Sequence, residues 1–389
     1  MDLVSRLAFP RVVGTDGEQR GFLIIQESLA TFGVRAWFEE FSTPWIEIDR
    51  AELELGDERV PIESLADPVF NGPWIPIPCE VDQEGVLVDS IDVASAERQV
   101  LLRTSLDITE PCVTGASAQL LACTPEDGFV AYYLADVSGH GTPVPSAYVE
   151  PERLAFLLER LGSACRVRWT SARCERILRN LVAEVRGTER PEEVVAVGAH
   201  IDSFPGTVGA NDNASGCARL VEFARWFTDH PPARTMRFIW FTGEELDRRG
   251  SRAYVQAHVE DRDRICLFIN VDGGVSIEHE RPAVNIEDCG AMAAVVSKAL
   301  EAALPGEGSM PFRRAAQCAD GSDATSFHEA GIPAMLAPGG GKRKKTGPNP
   351  HLPTDTVERL DPENVRRATV LALAFVDVSQ RCGQTAPSS

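Results

Sequence analysis

"EEVVAVGAHIDSFPGTVGANDNASG", residues 192–216, decides the fold. Its first half, Val194–Ala199, is an unbroken apolar run of strand length, without the alternation of a half-exposed strand. A strand buried on both faces belongs to a parallel sheet covered by helices. The second half is polar and Gly-rich, and it carries His200, Asp202 and Asp212. In such a sheet the ligand site lies beyond the carboxyl ends of the strands. One imidazole and two carboxylates therefore leave this strand where chemistry is done.

The same texture extends outward. From about residue 170, apolar runs ("LVAEVRG", "MRFIWFT", "CLFINVDG", "IPAMLAP") alternate with helical patterns over 214–229, 250–260, 288–303 and 362–380. Asp361 and Pro362 give the last of these an N-cap and a proline first position. Near the start, residues 15–33 predict an amphipathic helix closed at Gly33, followed by a strand in "VRAWFEEF". Residues 48–165 read differently. Short alternating runs separated by Gly, Pro and Asp predict a mostly-β segment, ending in a Pro-started helix within "PSAYVEPERLAFLLERLG". The expected fold class is α/β, a mixed, mostly parallel sheet with helices on both faces, plus an inserted mostly-β domain. Residues 1–47 and 166–383 would form the main domain, 48–165 the insert, and 384–389 a disordered tail.

Every strand of the main domain delivers an ionisable group to the same edge. His200, Asp202 and Asp212 follow the first; Glu244 and Glu245 follow "RFIWFTG"; Asp272 follows "CLFIN"; His351 follows "IPAMLAP" and a basic loop, "GGGKRKKTGPNP" (339–350). Singly, each has a plain reading: a capped surface pair, a charged first helical turn, a helix cap, a loop histidine. Together they are too many for one general acid–base pair, and adjacent carboxylates repel unless a cation neutralises them. Two divalent cations sharing a carboxylate satisfy that demand. Imidazole with carboxylate ligands suits zinc, with manganese or cobalt as substitutes. Three near-motifs fail. "HEAGI" (328–332) lacks a second zinc-motif histidine. The His140 segment "GHGTPVP" has no matching serine segment. Gly341-Lys342 has neither the upstream glycine nor the following Ser or Thr of a phosphate loop.

Composition bounds the function. The chain has 389 residues, and its net charge of −20 argues against nucleic acid as a partner. No run approaches the ~18 apolar residues of a membrane helix, and the first residues show no secretory signal, so a cytoplasmic location is expected. The ten cysteines are scattered without a C-x-x-C pair and read as free, mostly buried thiols.

"GAHIDS", "GANDNASG", "FTGEELDRRGSRAYV", "INVDG", "SDATSFHEAGIPAMLA" and "HLPTDT", in this order, resemble the co-catalytic dizinc aminopeptidases, peptidase family M28, which also includes glutamate carboxypeptidase-type enzymes. The resemblance covers about 170–380, and "AFPRVVGTDGEQRG" more weakly; 48–165 resembles a protease-associated insert. It implies a zinc exopeptidase acting on a peptide or small amide with a free N-terminus. His200, Asp212 and Asp272 would bind one zinc, and Asp212, Glu245 and His351 the other. Glu244 would be the general base, and Asp202 would orient His200 from behind. Gly209 and Gly216 would let the chain turn tightly around Asp212. Ala324 stands where the family frequently has His, a departure at a position that is not a ligand. The alternatives are a single-zinc glutaminyl cyclase-like acyltransferase, a carboxypeptidase or amidohydrolase of the same fold, and a receptor-like module that has lost its metals. All five ligands and Glu244 are present, which disfavours the first and last. The sequence leaves the oligomeric state and the preferred side chain open.

Overall fold

The computed structural model describes residues 1–64, 80–90, 98–103, 116–121, 146–149, 153–204, 206–260, 262–273, 275, 284–285, 312–313, 321–337, 351 and 353–381. In chain order the helices are α1 (Asp2–Leu7), α2 (Asp16–Ala30), α3 (Leu154–Leu158), α4 (Ser215–Asp229), α5 (Arg249–Ala257), α6 (Asp323–Glu329) and α7 (Pro362–Arg381). The strands are β1 (Ala36–Leu55), β2 (Glu58–Pro61), β3 (Glu63–Ser64), β4 (Glu80–Val88), β5 (Gln99–Arg103), β6 (Ala118–Leu121), β7 (Ser146–Tyr148), β8 (Ala164–Val185), β9 (Arg190–His200), β10 (Arg234–Phe241), β11 (Ile265–Asn270), β12 (Val284–Asn285), β13 (Phe312–Arg313) and β14 (Ala334–Leu336). The chain forms two compact units, 1–41 with 178–389, and 42–177. The second is wider than the segment 48–165 marked by texture. Both boundaries fall inside long strands, β1 and β8, where composition does not change.

In the first unit β14, β11, β9 and β10 run parallel, and the end of β8 (Leu181–Val185) pairs antiparallel with β10. The sheet is therefore mixed and mostly parallel. Alternation along β9 shows why its sequence is apolar throughout. Val195, Val197 and Ala199 join one core with Phe22 and Ile25 of α2, Phe223 and Phe227 of α4, and Phe375 of α7. Val194 and Ala196 join a second core with Tyr254 of α5 and Phe327 of α6. Helices cover both faces, and a polar residue on β9 would face one core or the other.

The second unit is mostly strands. The first part of β8 pairs antiparallel with β4, then β4, β5, β6 and β7 follow in parallel, and β3 closes antiparallel on β7. Val81, Leu87, Val100, Leu102, Leu120 and Trp169 form its core. The helix expected within "PSAYVEPERLAFLLERLG" covers only part of that stretch. Ser146–Tyr148 pairs with both β6 and β3, and the helix α3 begins at Leu154. Pairing on two sides outweighs the local helical pattern of three small and aromatic residues. The expected helix 288–303, the loop 339–350, the tail 384–389 and His140 lie outside the described residues.

No described helix is long and apolar enough to cross a membrane. The four described cysteines, Cys165, Cys174, Cys217 and Cys266, are free thiols; two are buried and Cys174 is exposed.

Helix α2 carries an electrostatic feature that reaches toward the strand ends. Thr15 caps the helix by accepting from the Glu18 amide. Glu18, in the place of a capping-box acid, instead accepts from the Gly14 amide (2.8 Å) and from the Thr242 hydroxyl. Its side chain is buried, and burial with the nearby Asp202 carboxylate pushes its pKa up to about 8. The folded state thus keeps a proton that the unfolded chain releases near pH 4.5. Stability from this group is full below that value and declines as pH rises toward 8. Glu18→Gln retains a donor and an acceptor without the proton. It should unfold in urea at higher denaturant than wild type at pH 8.5, by on the order of 3 kcal/mol, and nearly equally at pH 5. Parallel pH profiles for the two proteins would overturn this assignment.

Candidate metal centre

The strand ends and their loops assemble the site. His200 is the last residue of β9, Asp212 lies in the wide turn Ala210–Ala214 that leads into α4, Glu244 and Glu245 follow β10, and Asp272 follows β11. His351 comes from the segment ahead of α7. All five expected ligands meet. Donor atoms of His200, Asp212 and Asp272 lie within 4.8 Å of one another, as do those of Asp212, Glu245 and His351.

Asp212 belongs to both groups through different atoms. Its Oδ1 stands 3.0 Å from Nε2 of His200, and its Oδ2 stands 3.4 Å from Nε2 of His351. Asp272 Oδ1 lies 3.6 Å from His200 Nε2, and Glu245 Oε2 lies 3.2 Å from His351 Nε2. The donors fit a cation better than they fit each other. Nε2 of His200 is buried and makes no hydrogen bond despite its short distance to Asp212, and buried Glu245 Oε1 has no partner either. Two orphaned lone-pair atoms facing one acidic interior suit a metal ion. Asp272 is the most exposed of the five ligands, at 27 %.

The pKa directions express the same demand for positive charge. Burial works to lower His200, but Glu244, Asp202, Asp212 and Asp272 outweigh it and hold the imidazole well above its usual range. His351 is pushed up to about 11 because Glu245 and Asp212 outweigh its burial. Burial would raise Asp212, yet the two imidazoles hold it well below ordinary carboxylates. Glu244 is raised, first by burial and then by Glu245, Asp323 and Asp272, with His200 opposing. Without a cation, protons on the imidazoles supply the positive charge. A divalent ion would displace them, so binding releases protons.

Asp202 sits where expected, beside the His200 ring, and has a second set of contacts. The His200 Nδ1 contact at hydrogen-bonding distance is the backbone oxygen of Asp202 (3.1 Å), whereas the carboxylate is 3.6 Å away. That carboxylate accepts from the Glu244 amide (3.2 Å) and the Glu245 amide (3.1 Å). The chain curls back within two residues, which brings its own carbonyl to the ring first. Asp202 therefore fixes the turn that presents both glutamates. Asp247 (φ 63) and Arg248 (φ 60) bend that turn through left-handed backbone before α5 begins.

The glycines differ in role as well. Gly209 has φ 51 and makes the turn. Gly216 is helical, and is required because a Cβ there would come within 2.2 Å of Asn213 Oδ1 and 2.4 Å of the Val271 carbonyl. Ala324, the departure from the family pattern, is buried with Phe241, Phe268 and Phe327.

Several functional contacts were not predicted from the sequence. In "NDN", Asn213 donates to the Val271 carbonyl (2.9 Å) and accepts from the Gly216 (3.0 Å) and Gly273 (3.2 Å) amides. Asn211 Oδ1 accepts from the Val275 amide (2.9 Å). The two asparagines thus tie the Asp212 turn to the segment holding Asp272. Phe204 stacks on His351, with centroids 4.6 Å apart. Arg11 is fully buried, and its guanidinium donates to the carbonyls of Ile201 (2.8 Å), Val208 (2.8 Å) and Gly209 (2.9 Å), between His200 and Asp212. The paired asparagines around Asp212 were a visible signal; Arg11 stood only within the weakly resembling "AFPRVVGTDGEQRG".

Residues 180–376, just over half the chain, match peptidase family M28. The chain belongs to peptidase family M28. It is 25% identical to "Aminopeptidase YwaD" of Bacillus subtilis over 96% of this chain and 82% of that relative. Its fold superposes on "BSAP, a zinc aminopeptidase from Bacillus subtilis" with a TM-score of 0.73 and 22% identity, covering 96% of this chain and 92% of the other. A glutaminyl cyclase from an Acidobacteriales bacterium shares the fold more distantly, with a TM-score of 0.53 and 14% identity over 98% and 94% of the two chains. This M28 chain is a metallopeptidase by family, built on the zinc aminopeptidase fold.

Asn213→Ala tests how the ligand shell is held. It strands two buried amides and a carbonyl, at ~1–3 kcal/mol for each unsatisfied group. We expect a loss on the order of 3 kcal/mol in urea unfolding of the zinc-loaded protein, together with weaker zinc retention. A variant within about 0.5 kcal/mol of wild type would show that the asparagine does not hold the turn.

Proposed function

We propose that this chain is a zinc-dependent aminopeptidase with two metal positions bridged by Asp212. The observation that carries the reading is that the two oxygens of Asp212 face two different imidazoles, each accompanied by a further carboxylate. A single-metal enzyme has no use for a carboxylate shared in this way, which disfavours the cyclase-like alternative. His200 and Asp272 would complete one position, and Glu245 and His351 the other.

Zinc bound there would polarise the scissile carbonyl and make water acidic enough to attack near neutral pH. Glu244 accepts the proton from the attacking water and passes it to the departing amine. Its position supports this role. Glu244 lies beside His200 and Glu245 within the same donor cluster. Asp202 holds the backbone from which it projects.

A free α-ammonium is the substrate feature that an acidic site recognises best, through charge-assisted hydrogen bonds to carboxylate. Asp272, the most exposed ligand, is the natural first contact. The insert remains, on our reading, a protease-associated-like domain.

Three measurements on the zinc-loaded chain test the proposal. A dipeptide and its C-terminal amide should both be cleaved, and N-acetylation should abolish cleavage; the reverse ranking would mean a carboxypeptidase. Glu244→Gln should keep its metals and lose about 10²–10⁴-fold in turnover, whereas Glu245→Gln should lose metal. Metal analysis should give two zinc ions per chain, falling below one in Asp212→Ala; a wild-type value near one would remove the bridged arrangement.

A further inference from the structure

The segment that carries His351 also holds the turn that carries Asp212. Asp355, four residues after His351, is buried. Its two carboxylate oxygens are spent on consecutive amides: Oδ1 accepts from the Asn211 amide (2.8 Å) and Oδ2 from the Asp212 amide (3.0 Å). Its own carbonyl accepts from the Ala210 amide (3.2 Å). Three successive amides of the turn thus end on one residue. An amide side chain could not replace it, because Asn offers one acceptor and would point its NH₂ at the other donor.

The chemistry of the position is unfavourable for any purely packing purpose. A carboxylate is being buried next to the carboxylate-bearing Asp212. The compensation is local: Arg11, fully buried, donates to the Gly209 carbonyl at the start of the same turn. The backbone at Asp212 is also irregular, with φ −115 and ψ 91, so no helical or strand pairing fixes its direction. A second tie joins the same two segments. Phe204 stacks face to face on His351, 4.6 Å between centroids with planes 12° apart.

We infer that Asp355 is a positioning residue that sets the direction of Asp212 and locks it in register with His351, so that the bridging carboxylate and its imidazole partner are placed as one unit. This rests on the two-metal reading above. It assigns Asp355 no contact with substrate and no proton transfer. Without it, the turn keeps Asp212 but loses the angle at which one carboxylate reaches both positions.

The test uses the full chain with Asp355→Asn and Asp355→Ser, and Thr354→Ala as a neighbouring exposed control. Zinc affinity is measured by competition with a chromophoric chelator, alongside kcat, KM for a dipeptide amide, and unfolding of the metal-free protein. We expect both Asp355 variants to fold and to lose about 10–100-fold in zinc affinity and in kcat, with KM changed by less than about threefold. Thr354→Ala should match wild type. Wild-type zinc affinity and kcat in Asp355→Asn would overturn the proposal. So would failure of both Asp355 variants to fold, which would make the residue structural, and so would a loss of kcat with unchanged zinc affinity. Failure of the two-metal reading itself is seen separately, in a wild-type chain that retains fewer than two zinc ions.

Discussion

One short side chain has to reach two places. Asp212 offers Oδ1 toward His200 and Oδ2 toward His351, and an aspartate has only two torsions with which to do so. Its direction must therefore come from the backbone, and the backbone there belongs to no regular element. The surrounding residues answer that need in turn. Arg11 takes the carbonyl of Gly209, Asp355 takes three amides, and the flanking asparagines bond to the strand end that carries Asp272. Much of the polar chemistry buried near the site is spent on aiming one carboxylate.

Charge is the second consequence of that convergence. Asp202, Asp212, Glu244, Glu245, Asp272 and Asp323 act on the same two imidazoles or on each other. Burial pushes Asp323 up to about 7, and Glu244 and Glu245 are raised as well. Such a collection is costly in a folded protein unless cations enter it. The imidazoles can carry protons, and Arg11 contributes a positive charge that acts on Asp202, Asp212 and Asp355, but neither matches a divalent ion in charge density. The acidity that makes the metal-free site unfavourable is the same property that would make it bind metal.

The parts of this arrangement that follow from side-chain period and type were legible in the sequence. The two-sided burial of β9 was visible in its unbroken apolar run, and the convergence of His200, Asp212, Glu245, Asp272 and His351 in the strand ends and loops that carry them. What escaped was set by backbone geometry. Asp202 was expected to orient His200; its carbonyl makes the shorter contact to the ring, while its carboxylate, within ion-pair distance of the same ring, also accepts from the two glutamate amides. Gly216 was expected to serve a turn and instead makes room for Asn213. The strand at Ser146–Tyr148 depends on partners far away in sequence, so local pattern favoured a helix. Asp355 stood in plain view beside His351 in "HLPTDT", but only the turn it faces gives it a task.

The family match begins at residue 180, yet two residues that hold the site lie well before it. Arg11 bonds the loop between His200 and Asp212, and Glu18 meets Thr242, two residues before the proposed base. Both belong to the same compact unit as the candidate metal ligands, although the whole of 42–177 separates them in the chain. Residues 1–41 are thus not an appendage to the catalytic unit. Removing them would leave the carbonyls of Ile201, Val208 and Gly209 without the buried guanidinium, and would strip α2 from the core formed with α4. A buried arginine with no carboxylate within ion-pair distance among the described residues is otherwise hard to justify energetically. It is intelligible here because, although burial lowers the pKa of the guanidinium, the acidic groups Asp202, Asp355 and Asp212 oppose that shift. The N-terminal segment is a working part of the site, and the insertion divides a single functional unit in sequence without dividing it in space.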